Sequence, residues 1–321
     1  MDRISSRMQE LIQSYLGNNH QIFFCQTKSD YKKFISSAQV LITFTYGIPK
    51  EVLAEAKECI FIQKLGAGVN NIDIEGASKR NIPVANTPGL NATSVAEHTV
   101  SLITATYKHI VTAHNEIVQH GKWLKTELRD DSYELFYKKV GLVGFGNIGR
   151  IVRRILKGYE CDVYYYDVFR LSSDEEKKLG IKYVNLDQLL EIVDVVSLHV
   201  PLSDHTYHLM DRNRLLKMKE TAVLINTCRG GVIDENALYE VVKSGHLTGV
   251  GLDVLESEPI SKENKLVELP NVIITPHIGG GTVEAMEAVV KQACENINAV
   301  LDSGVVMQEH TVVNAMDLTK V

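Results

Sequence analysis

Arg229, Glu258 and His277 are the side chains of this chain best suited to chemistry on a carbonyl group. An imidazole can give and take a proton near neutrality, which makes His277 a candidate general acid and base. A carboxylate at Glu258 would hold the ring's orientation and favour its imidazolium form. Arg229 stands beside Gly230 and Gly231, where a planar fork can bind a substrate carboxylate and polarise the neighbouring carbonyl. Taken singly, each residue has a bland alternative: a surface ion pair, a solvated loop acid, a hydrogen-bonded loop histidine. Position joins them. Each follows an apolar run that reads as a β-strand, at 222–225, 250–253 and 272–274. Ligands of open α/β sheets bind at the carboxyl ends of the strands. Three such groups on one sheet edge favour a site over three coincidences.

A second feature supplies what these residues lack. The run 140–150, Val-Gly-Leu-Val-Gly-Phe-Gly-Asn-Ile-Gly-Arg, is an apolar strand entering Gly-x-Gly-x-x-Gly and a helix start. In a dinucleotide site Gly144 makes the tight turn, Gly146 admits the pyrophosphate to the backbone, and Gly149 lets helix and strand pack closely. Phe145, Asn147 and Ile148 complete the loop whose N–H groups face the phosphates. A further strand at 161–166 ends in Asp167, about 20 residues beyond the motif, where a carboxylate binds the adenosine ribose 2′-hydroxyl. That acid argues for NAD over NADP. Arg170 complicates the argument, because an arginine nearby can accommodate a 2′-phosphate. Hydride chemistry would belong to the cofactor; the protein must bind, orient and supply a proton.

The elements that position these residues follow from length and pattern. A chain of 321 residues suits two domains. Residues 1 to about 90 read as a small α/β unit, with strands at 21–25, 40–44 and 60–64 and helices at 49–57 and 73–80. The run 82–89, with Pro83, Pro88 and Gly89, breaks regular structure. One long helix is expected from a capping box at Ser94-x-x-Glu97 to about Gln119. Strands at 140–143, 163–166, 194–199, 222–225, 250–253 and 272–274 then alternate with helices, the rhythm of a doubly wound parallel sheet. A last helix, 282 to about 301, would return to the first domain. The expected division is 1–98 plus 284–321 as a discontinuous substrate domain, and 99–283 as the NAD-binding domain.

Composition narrows the function classes. A net charge of −6 leaves no basic footprint for nucleic acid. No apolar run is long enough to span a membrane, and the N-terminus does not read as a signal sequence. Five scattered cysteines (Cys25, Cys59, Cys161, Cys228, Cys294) without a Cys-x-x-Cys suit reduced thiols in a cytoplasm, and no metal is expected.

The chain resembles the D-isomer-specific 2-hydroxyacid dehydrogenases. The resemblance rests on four motifs in the family's order: the strand–Gly-x-Gly-x-x-Gly–helix unit, Asn-Thr-x-Arg-Gly-Gly at 226–231, Asp-Val-x-x-x-Glu-Pro at 253–259, and Thr-Pro-His-x-Gly-Gly at 275–280. It extends to 65–73 and 95–99. It implies an α/β architecture of two Rossmann- or flavodoxin-like domains with parallel sheets and the active site in the interdomain cleft. It implies an Arg229/Glu258/His277 catalytic set and a homodimer formed through the cofactor domains. By the same resemblance Thr99, His199, Pro201, Thr227 and Cys228 would line the NAD. Asp253 would sit near the nicotinamide carboxamide. The turn after Gly66, at Ala67, Gly68 and Val69, would offer N–H groups to the substrate carboxylate as a small nest. Cys228 reads as a small space-filler unless exposed.

The implied activity is that of an NAD-dependent oxidoreductase interconverting a 2-keto acid and a D-2-hydroxy acid. The family's phosphoglycerate members hold the phosphate with basic residues after the second strand. Here 41–49 carries neither arginine nor lysine, so a small or apolar acid (glyoxylate, hydroxypyruvate or a branched-chain keto acid) is expected before 3-phosphoglycerate. Phe44 and Tyr46 either face the pocket or pack beneath the loop. The fold and triad also serve an NAD-responsive co-regulator that binds other proteins; lack of long tails favours the enzyme.

Overall fold

The computed structural model describes residues 4–25, 27–304 and 311–318. It holds two compact units, 1–91 with 281–321 and 92–280. Positions 1–3, 26, 305–310 and 319–321 of the expected substrate domain lie outside the described residues.

The first unit runs α1 (Ser6–Leu16), α2 (Lys28–Phe34), β1 (Val40–Thr43), α3 (Lys50–Glu55), β2 (Phe61–Lys64), α4 (Ile74–Lys79) and β3 (Val84–Ala85). The three strands form a parallel sheet in the order β1-β2-β3. Successive residues of β2 serve opposite faces, Phe61 in one apolar cluster and Ile62 in the other, as the two-residue period requires. Two expectations fail here. Residues 21–25 form no strand: Ile22 and Phe24 pack against the core while Phe23 stacks on Phe34 at 3.8 Å. Alternation there reflects packing without a ladder. Conversely, the Pro83 run contains β3. Proline lacks a donor but keeps its acceptor, and the Pro83 carbonyl accepts from the Ile62 N–H at 3.0 Å.

The second unit continues with α5 (Ala92–Tyr107), α6 (Ile110–His120), β4 (Lys139–Val143), α7 (Asn147–Leu156), β5 (Asp162–Tyr166), α8 (Ser173–Leu179), β6 (Ile181–Tyr183), α9 (Leu186–Ile192), β7 (Val195–Leu198), α10 (Arg212–Lys217), β8 (Val223–Asn226), α11 (Glu235–Lys243), β9 (Gly249–Leu252) and β10 (Val272–Ile274). A final helix, α12 (Val283–Ser303), belongs to the first unit, where Val289, Val290, Ala293 and Ile297 share a core with Met8, Ile12 and Leu16 of α1.

The seven strands β4–β10 are all parallel, in the order β10-β9-β8-β7-β4-β5-β6. The order reverses between β4 and β7, and dinucleotides bind at such a switch point. Both faces are covered: Val195, Val223 and Ile225 enter one core while Val196, Leu198 and Leu224 enter the other. Hence the strands read as continuous apolar runs. The expected long helix is two. Its start lies at Ala92, two residues before Ser94, and His109 breaks it in the left-handed region with φ 48°. Helix α5 is buried along most of its length, whereas α6 has no buried residue. An apolar periodicity common to both hides the break. Strand β6, three residues long, is too short to show in the sequence pattern.

Candidate active site

The glycine motif connects β4 to α7 as its spacing requires. Gly144 has φ 95°, and a Cβ there would lie 2.4 Å from the His199 carbonyl oxygen. A Cβ on Gly149 would lie 2.6 Å from the Gly144 oxygen, so helix and strand meet through glycine. A Cβ on Gly146 would meet nothing within 4 Å. The protein itself therefore does not demand glycine at 146, but a ligand approaching the backbone at the α7 N-terminus would. At the end of β5, Asp167 accepts from the Phe145 N–H at 2.7 Å and the Phe169 N–H at 2.9 Å. Its carboxylate is thus fixed beside the glycine turn, where a ribose hydroxyl would need it. These residues fit a bound NAD.

Arg229, Glu258 and His277 follow β8, β9 and β10, neighbours in the sheet. His277 Nδ1 and Glu258 Oε2 are 2.7 Å apart, and the Leu255 N–H donates to Glu258 Oε1 at 3.1 Å. Burial pushes the Glu258 carboxyl up. The His277 hydrogen bond and charge, the Leu255 N–H and the Arg229 charge outweigh it and leave Glu258 below the usual carboxylate range. The backbone of His277 is left-handed, with φ 54°, and is tied by its N–H to the Asp253 and Thr275 carbonyls at 2.8 and 2.9 Å. Arg229 is half-buried; its Nη1 donates to the Cys228 carbonyl at 2.6 Å.

Two positioning residues lie outside the set that sequence pattern singles out. Asn226, buried at the end of β8, donates from Nδ2 to the Arg229 carbonyl at 2.9 Å and accepts at Oδ1 from the Cys228 N–H at 3.0 Å. It closes the turn that presents Arg229. His98 Nε2 lies 2.9 Å from Thr275 Oγ1 and 3.3 Å from Asp253 Oδ1. The Asp253 carboxylate, 2% exposed, also accepts from Thr275 Oγ1 and the Ile278 and Gly279 N–H groups. Its carboxyl is raised by burial but held low by His98, Thr275, Gly279 and Ile278. Asp253 therefore pins the loop that carries His277. Both residues do carry a signal, Asn226 as the first letter of Asn-Thr-x-Arg and His98 as the histidine of 95–99, but His98's partners are distant in sequence.

The remaining candidates take ordinary positions. Thr99 and Thr227 are buried and pair through their hydroxyls at 2.9 Å. Pro201 is exposed, its carbonyl capped by Thr206 Oγ1 at 2.6 Å. Cys228 is buried and its thiol is pushed up to about 11, which makes it a space-filler without thiolate character. In the first unit, the turn at Ala67, Gly68 and Val69 is anchored by the Gly66 N–H on Thr87 Oγ1 at 2.8 Å and by Asn86 Nδ2 on the Ala67 carbonyl at 2.7 Å. Phe44 and Tyr46 are exposed. Lys64, buried at the end of β2 and donating to the Phe44 carbonyl, brings a cation to the 41–49 stretch from the neighbouring strand.

His199 gives a measurable consequence. Its ring bonds Ser197 Oγ at 2.9 Å, and burial lowers its pKa from 6.5 to about 3. The unfolded chain protonates near 6.5 and the folded one only near 3, so this group's stabilisation is complete above 6.5 and is lost as pH falls towards 3. Urea midpoints should drop between about pH 7 and about pH 4 by less in His199→Gln than in wild type. Equal drops would remove His199 from the acid response.

An imidazole–carboxylate pair and an arginine thus follow neighbouring strands of the doubly wound sheet that carries the glycine turn. A family model, D-isomer specific 2-hydroxyacid dehydrogenase, NAD binding domain, matches residues 100–279. A glyoxylate reductase of Korarchaeum cryptofilum is 39% identical over 254 residues, 78% of this chain and 76% of that protein. A hydroxypyruvate reductase of Thermotoga maritima is 39% identical over 273 residues, covering 84% and 87%. D-3-phosphoglycerate dehydrogenases are among the other matches. The crystal structure of a D-lactate dehydrogenase from Aquifex aeolicus, complexed with NAD and lactic acid, superposes with a TM-score of 0.87 at 28% identity, covering 97% of each chain. The chain belongs to the D-isomer-specific 2-hydroxyacid dehydrogenase family. It is an NAD-dependent oxidoreductase of the two-domain Rossmann type. Among the described residues no helix is long and apolar enough to cross a membrane, and no cluster of metal-binding side chains occurs.

Proposed function

We propose that this enzyme reduces a small 2-keto acid, glyoxylate to glycolate or hydroxypyruvate to D-glycerate, with Arg229, Glu258 and His277 as its catalytic residues. The observation that carries the assignment is the 2.7 Å His277–Glu258 pair on the sheet edge that holds the glycine turn. NADH held by the glycine turn and Asp167 would supply the hydride. Glu258 occupies Nδ1 of His277, which leaves Nε2 as the nitrogen that gives its proton to the carbonyl oxygen. The Arg229 fork binds the substrate carboxylate and polarises the carbonyl. In the first unit, the N–H groups of Ala67, Gly68 and Val69 are assigned as carboxylate donors on the family resemblance. Thr99, His199, Pro201, Thr227, Cys228 and Asp253 are assigned to the cofactor side. The substrate choice is supported by the glyoxylate and hydroxypyruvate reductases among the relatives; 41–49 itself carries no basic residue, and Lys64 from the neighbouring strand is the cation that a phosphorylated acid would need there.

NADH oxidation over a panel of keto acids tests this: glyoxylate, hydroxypyruvate, pyruvate, 2-ketoisocaproate, phenylpyruvate and 3-phosphohydroxypyruvate. The first two should show the highest kcat/KM. A best rate with the phosphorylated acid would transfer the assignment to phosphoglycerate chemistry, with Lys64 as its cation. Arg229→Lys should lower kcat/KM by roughly 10- to 100-fold, with KM rising, because an ammonium keeps the charge but loses the fork. An unchanged KM would show that Arg229 does not touch the substrate.

The same reading makes the protein a cytoplasmic homodimer. Helix α6 has no fully buried residue, and Ile110, Val111, Ile117 and Val118 lie exposed on it, followed by Trp123 at 76% exposure. Exposed large apolar side chains concentrated on one element of this kind mark a contact site. Sedimentation velocity should find a dimer in the wild type and a monomer in Val118→Glu; a monomeric wild type would end the assignment.

A further inference from the structure

Arg170 is the residue that makes the cofactor preference ambiguous, and the structure shows how it is held. Its Nε donates to Glu176 Oε1 at 2.9 Å and its Nη2 to Glu176 Oε2 at 3.2 Å, a bidentate pair. Its guanidinium lies over the Tyr183 ring, 4.8 Å from the centroid. Glu176 is fixed in turn. The Tyr165 hydroxyl donates to its Oε1 at 3.0 Å while accepting from the Leu171 N–H at 2.9 Å. Helix α8, which carries Glu176, begins with a complete capping box between Ser172 and Glu175. Arg170 thus meets a carboxylate from α8 and a ring from β6, three residues beyond Asp167. The Glu176 side chain is 12% exposed and that of Arg170 56%, so the pair stands at the surface with its acid tucked against the fold.

We propose that Glu176 is a specificity-determining residue, which enforces NAD over NADP by engaging the Arg170 guanidinium, and that releasing Arg170 opens a binding site for the 2′-phosphate of NADPH. The proposal rests on the dinucleotide lying at this edge with its ribose on Asp167. There the adenosine ribose meets an anion at Asp167, while the neighbouring cation is already neutralised by Glu176. A 2′-phosphate, a dianion, is repelled by the first and finds the second engaged. Arginine near this acid is the group that accommodates a 2′-phosphate in dinucleotide folds. The determinant is thus a pair of acids: one faces the ribose, and the other, on the next helix, withholds the arginine. A purely structural role for the Arg170–Glu176 pair, stapling α8 to the loop, would alter stability and leave cofactor preference unmoved. Arg150, its guanidinium 5.3 Å from the Phe145 ring, is another cation near the glycine turn, and the experiment separates its contribution.

The test is a fluorescence titration of NADPH and NADH, which needs no substrate, on wild type, Asp167→Ala, Asp167→Ala/Glu176→Gln, and that double variant with Arg170→Ala added. Removing the acid at 167 takes away the direct repulsion and exposes the second control. The Glu176→Gln step should then tighten NADPH binding by about tenfold, the worth of a charge-assisted hydrogen bond, with NADH binding unmoved. Adding Arg170→Ala should erase the gain. Less than about a twofold gain would overturn the proposal, as would an equal gain for NADH, or a gain that survives Arg170→Ala and therefore belongs to Arg150 or the loop. If the wild type binds no NADH, the dinucleotide reading fails and the proposal with it. If NADH binds but NADPH affinity ignores Glu176, the proposal alone fails.

Discussion

His277→Asn is expected to lower kcat for keto-acid reduction by roughly 10²- to 10⁴-fold, the usual worth of general acid–base catalysis, with NADH affinity close to wild type. Asparagine is the informative replacement for two reasons. Residue 277 is left-handed, with φ 54°, and asparagine tolerates that region better than most side chains. Its amide also keeps a donor near the Glu258 carboxylate. The loop should therefore stay in place, through the 277 N–H bonds to the Asp253 and Thr275 carbonyls, while the titrating group is lost. The pH profile makes the result specific. Glu258 is held below the carboxylate range, so it stays ionised throughout the neutral region. A limb in kcat/KM that vanishes in His277→Asn and persists, on a lower plateau, in Glu258→Gln would assign the proton transfer to His277. A wild-type kcat in His277→Asn would remove the histidine from catalysis.

The same residues show why some features are legible in the amino-acid order alone and others are not. The glycine motif, Asp167 and the residues of the proposed triad each lie beyond an apolar strand, and strand order in a parallel sheet brings their carboxyl ends to one edge. Local pattern and topology suffice. Asn226 is legible as a motif letter but not as a clamp, because its work is to bond the backbone of the residues just ahead. Asp253 is expected near the cofactor on resemblance; its carboxylate is bonded to Thr275, Ile278 and Gly279 and lies against His98, partners that only the fold assembles. The failures at 21–25, at β3 and at the α5–α6 break have a common cause. Periodicity reports which side of a segment is apolar, not whether a neighbouring strand supplies hydrogen bonds or whether one residue turns left-handed.

Gly230→Ala is the second large effect expected, and it tests how the Arg229 and Glu258 segments are set against each other. A Cβ at 230 would lie 1.9 Å from the Leu255 carbonyl carbon, 2.1 Å from its oxygen and 2.3 Å from the Glu256 nitrogen. All three are backbone atoms, so no side-chain rotation relieves the clash. The 255–258 segment is also held from its other sides. Glu256 bonds His208 Nε2 through Oε1 at 2.7 Å, its N–H donates to Glu235 Oε1 at 2.5 Å, and the Leu255 N–H is engaged by Glu258. Either the Arg229 turn or the Glu258 segment must therefore move by about an ångström to restore ordinary contact. Overpacking of this kind costs about 1–3 kcal/mol, occasionally more, and a displacement of that size costs a further factor of roughly 10² in turnover. Gly231→Ala is the matched control. Its Cβ would meet only Leu202 and Tyr207 side-chain atoms at 3.3–3.5 Å, contacts that small rotations relieve. Gly230→Ala should thus lose both thermal stability and kcat, and Gly231→Ala little of either. Equal behaviour of the two variants would show that the Gly230–Leu255 contact does not set the distance between the arginine and the acid, and that the Arg229 turn is free to relax without cost to the chemistry.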